Sequence, residues 1–234
     1  MEKKELIKKM LESAVHFGHR AHKWNPKMKK YLYGQRKGIH IFDLEKTYDC
    51  LSEALGFVKK LISEGRTILF VGTKPQALKI LMGAAEACKM PFVVHKWMGG
   101  LLTNYSTIKK RIEYLKKLKA QDASGELDSK YKKKEALELR KQVEKLEAAL
   151  GGLSDITGLP DALFIVDSIR DNIAIKEAKR LDIPVIAIVD SNGDPSEVTY
   201  VLPGNDDAIN SIKFFTDEVS NVILDVKKHK IAKK

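Results

Sequence analysis

The chain has 234 residues, of which 44% are hydrophobic, and its formal net charge at pH 7 is +11. This length suits one large domain with an insertion or two small domains, and the composition is ordinary for a globular protein. The excess of Lys and Arg favours a polyanionic partner, nucleic acid first and an anionic membrane surface second. No apolar run approaches the roughly 18 residues that span a bilayer, and the amino terminus lacks the apolar core of a signal peptide, so we expect a cytoplasmic protein with no membrane partner.

The charge is unevenly distributed along the chain. Residues 1–38 hold 11 Lys and Arg against 3 Asp and Glu, and residues 105–150 hold 13 against 8. Residues 151–226 reverse the sign, with 5 basic against 14 acidic side chains, and the last eight residues hold 5 basic and no acidic ones. This division predicts a basic surface formed by the amino-terminal part, the middle and the tail, with an acidic, well-packed half behind it.

Residues 3–14 have apolar side chains at helical spacing, which predicts a short helix. The residues that follow interleave cations with aromatic rings, and glycines and Pro26 argue against continuous regular structure. This composition is typical of a nucleic-acid-binding arm, in which cations neutralise phosphates and rings stack on bases; a basic surface loop with aromatics in the core is the alternative. The candidate RNA contacts in this arm are Arg20, Lys23, Trp24, Lys27, Lys29, Lys30, Arg36 and Lys37.

Three histidines in the arm, His16, His19 and His22, follow one another at three-residue spacing and raise the possibility of a metal site. There is no His-Glu-x-x-His motif and no cysteine nearby, so we expect histidines that pack or face RNA. The two cysteines, Cys50 and Cys88, lie in helical patterns without metal-ligand spacing and are expected to be buried, reduced thiols.

Beyond the arm, helical patterns alternate with short apolar runs. Runs of this kind bounded by glycines or prolines are typical of strands buried on both faces of a parallel sheet. The alternation predicts an α/β fold with a doubly wound, mainly parallel sheet and helices on both faces. The predicted helices cover residues 43–63, 74–90, 169–181 and a last segment from about 206, and the predicted strands cover 67–71, 92–94, 162–167, 184–190 and about 200–202.

Residues 92–104 join this sheet to the middle of the chain. An apolar run is followed by Lys96 and Trp97, a break at Gly99-Gly100, and the helix-capping residues Thr103 and Asn104. In an open α/β sheet, the loop that leaves the carboxyl end of a strand is where ligands usually bind. Because no catalytic group accompanies this loop, we interpret it as a joint that contacts RNA through Lys96, Trp97 and Asn104.

The middle of the chain, residues 105–150, breaks the alternation. Its apolar residues recur at spacings of three and four, which is typical of a coiled-coil seam, and a polar segment around Gly125 divides the two runs. We therefore predict an inserted antiparallel coiled-coil hairpin that projects from the domain, buries little of its own, and contacts RNA or a protein neighbour; a solvated helical face is the alternative. The candidate RNA contacts at its base are Lys109, Lys110 and Arg111.

These segments give the predicted organisation of the chain. The boundaries are 1–42 for a basic amino-terminal helix and arm, 43–104 together with 151–226 for the α/β core, 105–150 for the hairpin insertion, and 227–234 for a basic tail.

Two stretches were tested for chemistry. Gly72-Thr73-Lys74 follows a predicted strand and could hold one phosphate, but neither phosphate-loop motif is complete, so a nucleotide-binding α/β enzyme is only the alternative function. The stretch that begins at Asp190 starts like a calcium loop, but Pro195 and Val201 stand where an EF-hand needs Gly and Glu. No active site is recognisable, and we expect no catalysis.

Carboxylates remain that are able to bind a cation. Asp190, Asp194 and Asp206 follow predicted strands and could gather around Mg²⁺ or another hard cation; turn and capping carboxylates are the alternative. We expect no cofactor to be required.

Several motifs together resemble one family, the bacterial form of ribosomal protein S2. They extend in order over nearly the whole chain, and the hairpin is similar to that of the bacterial and organellar branch. Lys96 departs from the family pattern, which usually has Arg there, and Ser191 stands where the family often has Thr. The motifs are Val15-His-Phe-Gly-His, Trp24-Asn-Pro-Lys-Met, Phe70-Val-Gly-Thr-Lys, Trp97-Met-Gly-Gly-Leu-Leu-Thr-Asn, Leu159-Pro-Asp-Ala-Leu, Ile183-Pro-Val-Ile-Ala-Ile-Val-Asp and Pro203-Gly-Asn-Asp-Asp-Ala.

The resemblance implies a flavodoxin-like sheet with a protruding coiled-coil hairpin. It also implies a structural constituent of the small ribosomal subunit that binds ribosomal RNA, touches neighbouring ribosomal proteins and helps dock the S1 protein. Such a protein supports translation without catalysis and is not a homo-oligomer.

Overall fold

The computed structural model describes residues 3–231. The helices in chain order are α1 (Lys3–Glu12), α2 (Leu44–Ser63), α3 (Pro75–Cys88), α4 (Tyr105–Ala123), α5 (Glu126–Lys130), α6 (Lys133–Leu150), α7 (Asn172–Arg180) and α8 (Ile209–Ile231). The strands are β1 (Phe17–Arg20), β2 (Leu32–Arg36), β3 (Ile39–Phe42), β4 (Ile68–Val71), β5 (Phe92–Val93), β6 (Ala162–Val166), β7 (Val185–Val189) and β8 (Tyr200–Pro203).

A parallel sheet of five strands forms the centre of the domain, in the order β5-β4-β6-β7-β8. Numbered from one within this sheet, the order is 2-1-3-4-5, which is the order of flavodoxin-like domains. Every residue of β4, β6 and β7 is buried, because these strands are covered on both faces. The predicted doubly wound α/β fold is confirmed.

Alternate residues of each strand belong to two separate cores. Ile68 and Phe70 pack beneath α1, α2, α3 and α8, and the ring of Phe70 meets that of Phe164 edge-on at 5.4 Å. Leu69 and Val71 face the other side, where they pack against α7 and the bases of α4 and α6. The period of two in the strands thus decides which helices each side chain contacts.

The arm, residues 15–42, is more regular than its sequence indicated. It forms a three-stranded antiparallel sheet in the order β1-β3-β2. Lys37 and Gly38 make the two-residue turn between β2 and β3, and both have positive φ, as type I′ hairpin turns require. The expectation of irregular structure was wrong because Gly38 lies in a turn between paired strands, and Pro26 begins a short turn of helix capped by Asn25.

The insertion consists of three helices, since the short α5 occupies the predicted polar turn. Arg140 on α6 joins all three: Nε donates to Asp122 on α4 at 2.8 Å and Nη2 to Asp128 on α5 at 2.7 Å. The expectation that the insertion buries little is wrong at its base, where side chains of α4 and α6 belong to the core beside α7. Those buried side chains are Ile108, Ile112, Leu115 and Leu150.

Two helices begin later than the hydrophobic pattern indicated. Before α7, the carboxylate of Asp167 accepts hydrogen bonds from the amides of Ile169 and Arg170 at 3.0 and 2.9 Å. Before α8, the side-chain oxygen of Asn205 accepts hydrogen bonds from the amides of Asp207 and Ala208 at 2.8 and 3.0 Å. These side chains satisfy backbone donors in turns, so the helices start about three residues beyond the predicted positions.

The chain returns from the insertion to the sheet through Gly151-Gly152. A Cβ atom on Gly152 would overlap the carbonyl oxygen and the ring of Phe92, so the backbone passes directly against β5, the edge strand. Glycine is required there by close approach and not by an unusual φ.

Of the predicted basic tail, Lys227, Lys228 and Lys230 lie in the last turns of α8. Residues 232–234 lie outside the described residues. Within residues 3–231, no helix combines the length and apolar character that crossing a membrane demands.

Candidate nucleic-acid interface

The strand order reverses between β4 and β6, and in α/β enzymes this is the position of the ligand. Gly72, Thr73 and Lys74 follow β4 here, and Asp167 follows β6. A Cβ on Gly72 would overlap the side chain of Leu81 on α3, so this glycine allows helix packing. The conformation of this loop is therefore explained by the packing of α3 against the end of β4.

Lys74 is 8% exposed, and its ammonium contacts three carboxylates. Nζ lies 2.7 Å from Asp206, 2.6 Å from Asp207 and 3.2 Å from Asp167. A nucleotide phosphate at this loop would meet these carboxylates and would lose the lysine that should bind it. The alternative of a phosphate loop at Gly72-Lys74 is wrong, because the lysine is committed to an internal ion-pair cluster.

The charges of this cluster alter the pKa values of Lys74 and Asp206. Burial opposes the charge of Lys74, but Asp206, Asp207 and Asp167 raise the pKa of its ammonium above the ordinary value. Burial, with help from Asp167 and Asp190, raises the pKa of Asp206 to about 7 despite the nearby ammonium. Within the cluster, the Asp206 carboxyl group therefore titrates near neutral pH, whereas the Lys74 ammonium stays charged there.

Thr73 is held by a second buried carboxylate, that of Asp171. Its amide and hydroxyl donate to Asp171 at 3.0 and 2.9 Å, and burial raises the pKa of that carboxyl group. Backbone donors at a phosphate loop must be free to bind an anion. The Thr73 amide is already used to join β4 to the start of α7.

The arm docks on the same edge of the sheet through His19. Nδ1 lies 3.1 Å from the carboxylate of Asp190 at the end of β7, and Nε2 lies 3.5 Å from Asp207. The backbone amide of His19 donates to Asp190 at 3.1 Å and to the hydroxyl of Ser191 at 2.8 Å. The hydrogen bond to Asp190 raises the pKa of His19, although burial opposes this.

A second contact fixes the next part of the arm. The amide of Asn25 donates to the carbonyl of Ser191 at 2.7 Å, and Nζ of Lys27 donates to Asp194 at 2.7 Å and to Ser196 at 2.8 Å. The Lys27 ammonium and the Ser196 hydroxyl lower the pKa of Asp194 to about 2. The ammonium of Lys27 thus helps to hold the arm on the core, and the expected contact of this exposed side chain with RNA stays a prediction.

The predicted cation site is assembled only in part. Asp190 accepts a hydrogen bond from the amide of Asp206 at 3.4 Å, whereas Asp194 is paired with Lys27. His19, Asp206 and Asp207 place ligand atoms within 4.8 Å of one another, but the Lys74 ammonium contacts both aspartates. A hard cation would have to compete with that ammonium, and its binding stays a prediction.

The histidine trio does not converge. His16 packs against the ring of Phe17 at 4.0 Å, burial lowers its pKa, and its Nδ1 has no hydrogen-bond partner among the described atoms. His22 is exposed. His19 alone of the three belongs to a group with metal-ligand spacing in residues 3–231. The expectation that the trio binds no metal stays a prediction.

The loop between β5 and α4 is organised around Glu177, a buried residue of α7 that is 6% exposed. Its Oε1 accepts from Nε1 of Trp97 at 3.0 Å and from the amide of Gly100 at 2.7 Å. Its Oε2 accepts from the amides of Leu102 and Thr103 at 3.0 and 3.1 Å and from the Thr103 hydroxyl at 3.2 Å. Burial opposes the charge, but these donors lower the pKa of Glu177.

Trp97 is therefore a core residue. It is 7% exposed, packs with Leu101 and Leu102, and uses its only donor on Glu177. Its side chain is almost fully buried, and its expected contact with RNA stays a prediction. The sequence analysis did not identify Glu177 as a functional residue. Its position between Ile175 and Ala178 on the buried face of α7 could have shown it, because a buried carboxylate requires hydrogen-bond donors inside the protein.

The other predicted RNA-binding side chains are accessible. Trp24 is half-buried beside His40, with the ring centres 5.1 Å apart, and Lys30 lies over the ring of Tyr31 at 4.8 Å. Apart from Lys27, none of the predicted RNA-binding cations forms an ion pair with a carboxylate in the described part of the chain. The exposed residues are Arg20, Lys23, Lys29, Lys30, Arg36, Lys37, Lys96, Asn104, Lys109, Lys110 and Arg111.

Salt bridges occupy the strand ends of this doubly wound domain, and many exposed cations without an ion pair lie on its added arm and insertion. Such a fold does not define a function by itself. Residues 10–225 match the family model of Ribosomal protein S2, and the chain belongs to that family. It is therefore a structural protein of the small ribosomal subunit, part of a ribonucleoprotein that serves translation, and not an enzyme. It associates with the ribosome and, as a member of this family, with ribosomal RNA and other ribosomal proteins.

Replacing Glu177 by Gln tests the centre of the loop. The amide group of Gln would face the Leu102 and Thr103 donors, so we expect the free energy of unfolding to fall by about 2–3 kcal/mol in urea titrations at pH 7. The wild-type advantage should shrink as the pH falls through the lowered pKa of Glu177, since its carboxylate then becomes protonated. The matched control is Glu113→Gln on the exposed face of α4, which should change stability little. Equal effects of the two substitutions would contradict this role for Glu177.

Replacing His19 by Asn tests the docking of the arm. A raised pKa in the folded state means that the His19 contribution is complete below its ordinary value of 6.5 and is lost as the pH rises through the folded value. In urea titrations with a chelator present, the wild type should therefore exceed His19→Asn in stability by more at pH 6 than at pH 9. His22→Asn, at an exposed position, should show no such trend. A difference that does not depend on pH would count against an ionised His19.

Proposed function

We propose that the chain binds small-subunit ribosomal RNA mainly through phosphate contacts made by the arm, Lys96 and the base of the insertion. The observation that carries this proposal is that the exposed cations of these segments, except Lys27, lack acidic partners within the described chain, whereas the buried Lys74 has three. Unpaired cations at fixed positions are the means by which proteins displace counterions from an RNA backbone.

The arm is a fixed platform because it is docked on the core. The contacts of His19 and Lys27 with Asp190 and Asp194 fix its position at the ends of β7 and of the loop after it. Arg36 and Lys37 project from the tip of the β2–β3 hairpin, and Tyr33 on the exposed strand β2 is 82% accessible. A preordered basic surface loses less conformational entropy on binding than a flexible tail.

The position of the cations at the base of the insertion depends on Glu177. By holding the amides of residues 100, 102 and 103, Glu177 fixes the point at which α4 begins, and Lys109, Lys110 and Arg111 lie in its first two turns. Lys96 and Asn104 are exposed at the two ends of the same loop. A lysine at position 96 supplies a point charge without the bidentate geometry of arginine.

We also propose that the insertion is an antiparallel coiled-coil hairpin. Asp122 near the end of α4 pairs with Arg140 in the first half of α6, whereas the earlier Lys119 pairs with the later Glu147 at 3.0 Å. This reversed order of partners is the one that antiparallel neighbours produce. The buried residues at spacings of three and four on α4 support a seam.

The insertion also offers a surface for protein neighbours. Tyr114, Tyr131 and Leu137 are 41%, 43% and 53% exposed, although aromatic and apolar side chains of this size are usually buried. Exposed aromatic residues are enriched in protein interfaces. We propose that this surface, in a single copy of the chain, contacts neighbouring small-subunit proteins and helps dock the S1 protein.

A salt titration tests the RNA contact. Binding of the full chain to small-subunit ribosomal RNA should weaken steeply with salt, and the double variant Lys29→Glu/Lys37→Glu should reduce the slope of log K against log salt by about 1.4–1.8. The matched control is Lys79→Glu, an exposed charge reversal on α3 outside the proposed surface. Salt-independent binding, or an equal loss in the control, would contradict phosphate-dominated contact through the arm.

A shortened insertion tests the protein contact. The base must be kept because Ile108, Ile112, Leu115 and Leu150 belong to the core, so a short Gly/Ser turn should replace residues 118–145 only. We expect this variant to bind ribosomal RNA through the arm but to lose S1 from assembled small subunits, measured by quantitative mass spectrometry. Retention of S1 would show that the distal insertion is not its docking surface.

A further inference from the structure

A shallow groove of about 480 Å³ lies between α2 and α8, and no residue of the arm or the insertion lines it. Gly56, Lys59 and Lys60 line it from α2, and Val226 and Lys230 line it from α8. On α2 the lining extends from Gly56 to Ser63, with Lys59 and Lys60 between them. The groove is therefore as long as about two turns of that helix, roughly 10 Å.

Gly56 at the floor of this groove is not explained by the packing of the chain itself. It lies inside α2, where glycine is less favourable than nearly every other residue. A Cβ on Gly56 would meet no heavy atom of the chain within 4 Å, in contrast to Gly72 and Gly152, where the protein's own atoms exclude a side chain. The open space above Gly56 suits a partner that approaches the helix backbone closely.

The groove combines an apolar floor with a basic rim. Gly56, Val226 and the methylene groups of the lysines supply apolar lining, which we take as the floor, and His229 also lines the groove. Lys59 and Lys60 form no ion pair with any described residue, and Nζ of Lys230 donates to the carbonyl of Ile62 at 3.0 Å. No Asp or Glu is among the residues that line the groove. A partner complementary to this groove would present a surface that is apolar in its centre and acidic at its edges.

We propose that this groove receives about two turns of an acidic amphipathic helix from a neighbouring protein of the small subunit. Helix-in-groove recognition buries apolar side chains against the floor while charged flanks meet the rim. An RNA backbone would satisfy the lysines but would leave the apolar floor against phosphates, so the observations favour protein. The inference rests on the proposed assembly into the small subunit but uses residues separate from the RNA-binding surface.

A photo-crosslinking amino acid in place of Ser63, at the rim, tests the occupant. The full-length protein carrying it is assembled into small subunits that lack this chain, irradiated, and the crosslinked products are identified by mass spectrometry. We expect a crosslink to a protein segment with apolar residues at helical spacing flanked by Asp or Glu. A crosslink to RNA alone, a crosslink to a segment of other composition, or no crosslink in fully assembled subunits would overturn the proposal.

Gly56→Gln tests the reason for the glycine, with Gly83→Gln as the matched control, because Gly83 is a helical glycine with equally open space on α3. Both substitutions should raise Tm by about 2 °C, since glutamine is the better helix former. Only Gly56→Gln should reduce the crosslink yield, at least five-fold, while incorporation into subunits stays unchanged. An unchanged yield would overturn the role of Gly56. The Lys29→Glu/Lys37→Glu variant should weaken binding to ribosomal RNA, whereas Gly56→Gln should leave that binding unchanged, and this contrast separates a failure at the groove from a failure of the RNA-binding proposal.

Discussion

The buried ammonium of Lys74 is the contact on which the functional edge of the protein depends. It joins the end of β4 to Asp167 after β6 and to Asp206 and Asp207 before α8, and Asp207 continues the chain of contacts to His19. Removing one member of such a buried network leaves the other charges unpaired, which costs far more than the pair contributes. Core and arm are thereby held in one arrangement by a single connected set of charges.

This arrangement shows how a fold that commonly serves enzymes serves assembly. The position between β4 and β6 that holds ligands in related folds is filled by the protein's own lysine and carboxylates. The loop after β5, a second place for ligands, is closed around Glu177. The same topology therefore uses its polar strand ends to fix accessory segments, and many of the exposed cations without an ion pair lie on those segments.

The fold was largely predictable, and the internal partners of the site were not. Continuous apolar runs such as residues 68–71 indicated strands buried on both faces, because local sequence determines them. The arm sheet was missed because β2 is exposed along most of its length and shows no alternation. Lys74 and Asp206 are separated by 132 residues and His19 and Asp190 by 171, so no local pattern links them. For the same reason the sequence did not reveal that Trp97 and Lys27 are each bound by a distant carboxylate.

The close contact between Gly152 and β5 affects how the protein resists aggregation before it assembles into the ribosome. An open edge of a parallel sheet is a template on which a second chain can add a strand and begin to aggregate. Here β5 is only two residues long, and the backbone returning from the insertion lies against its carbonyl edge. Newly made, unassembled protein is thus protected on this side from pairing with its own copies, and a side chain at residue 152 would weaken that protection before any RNA contact is made.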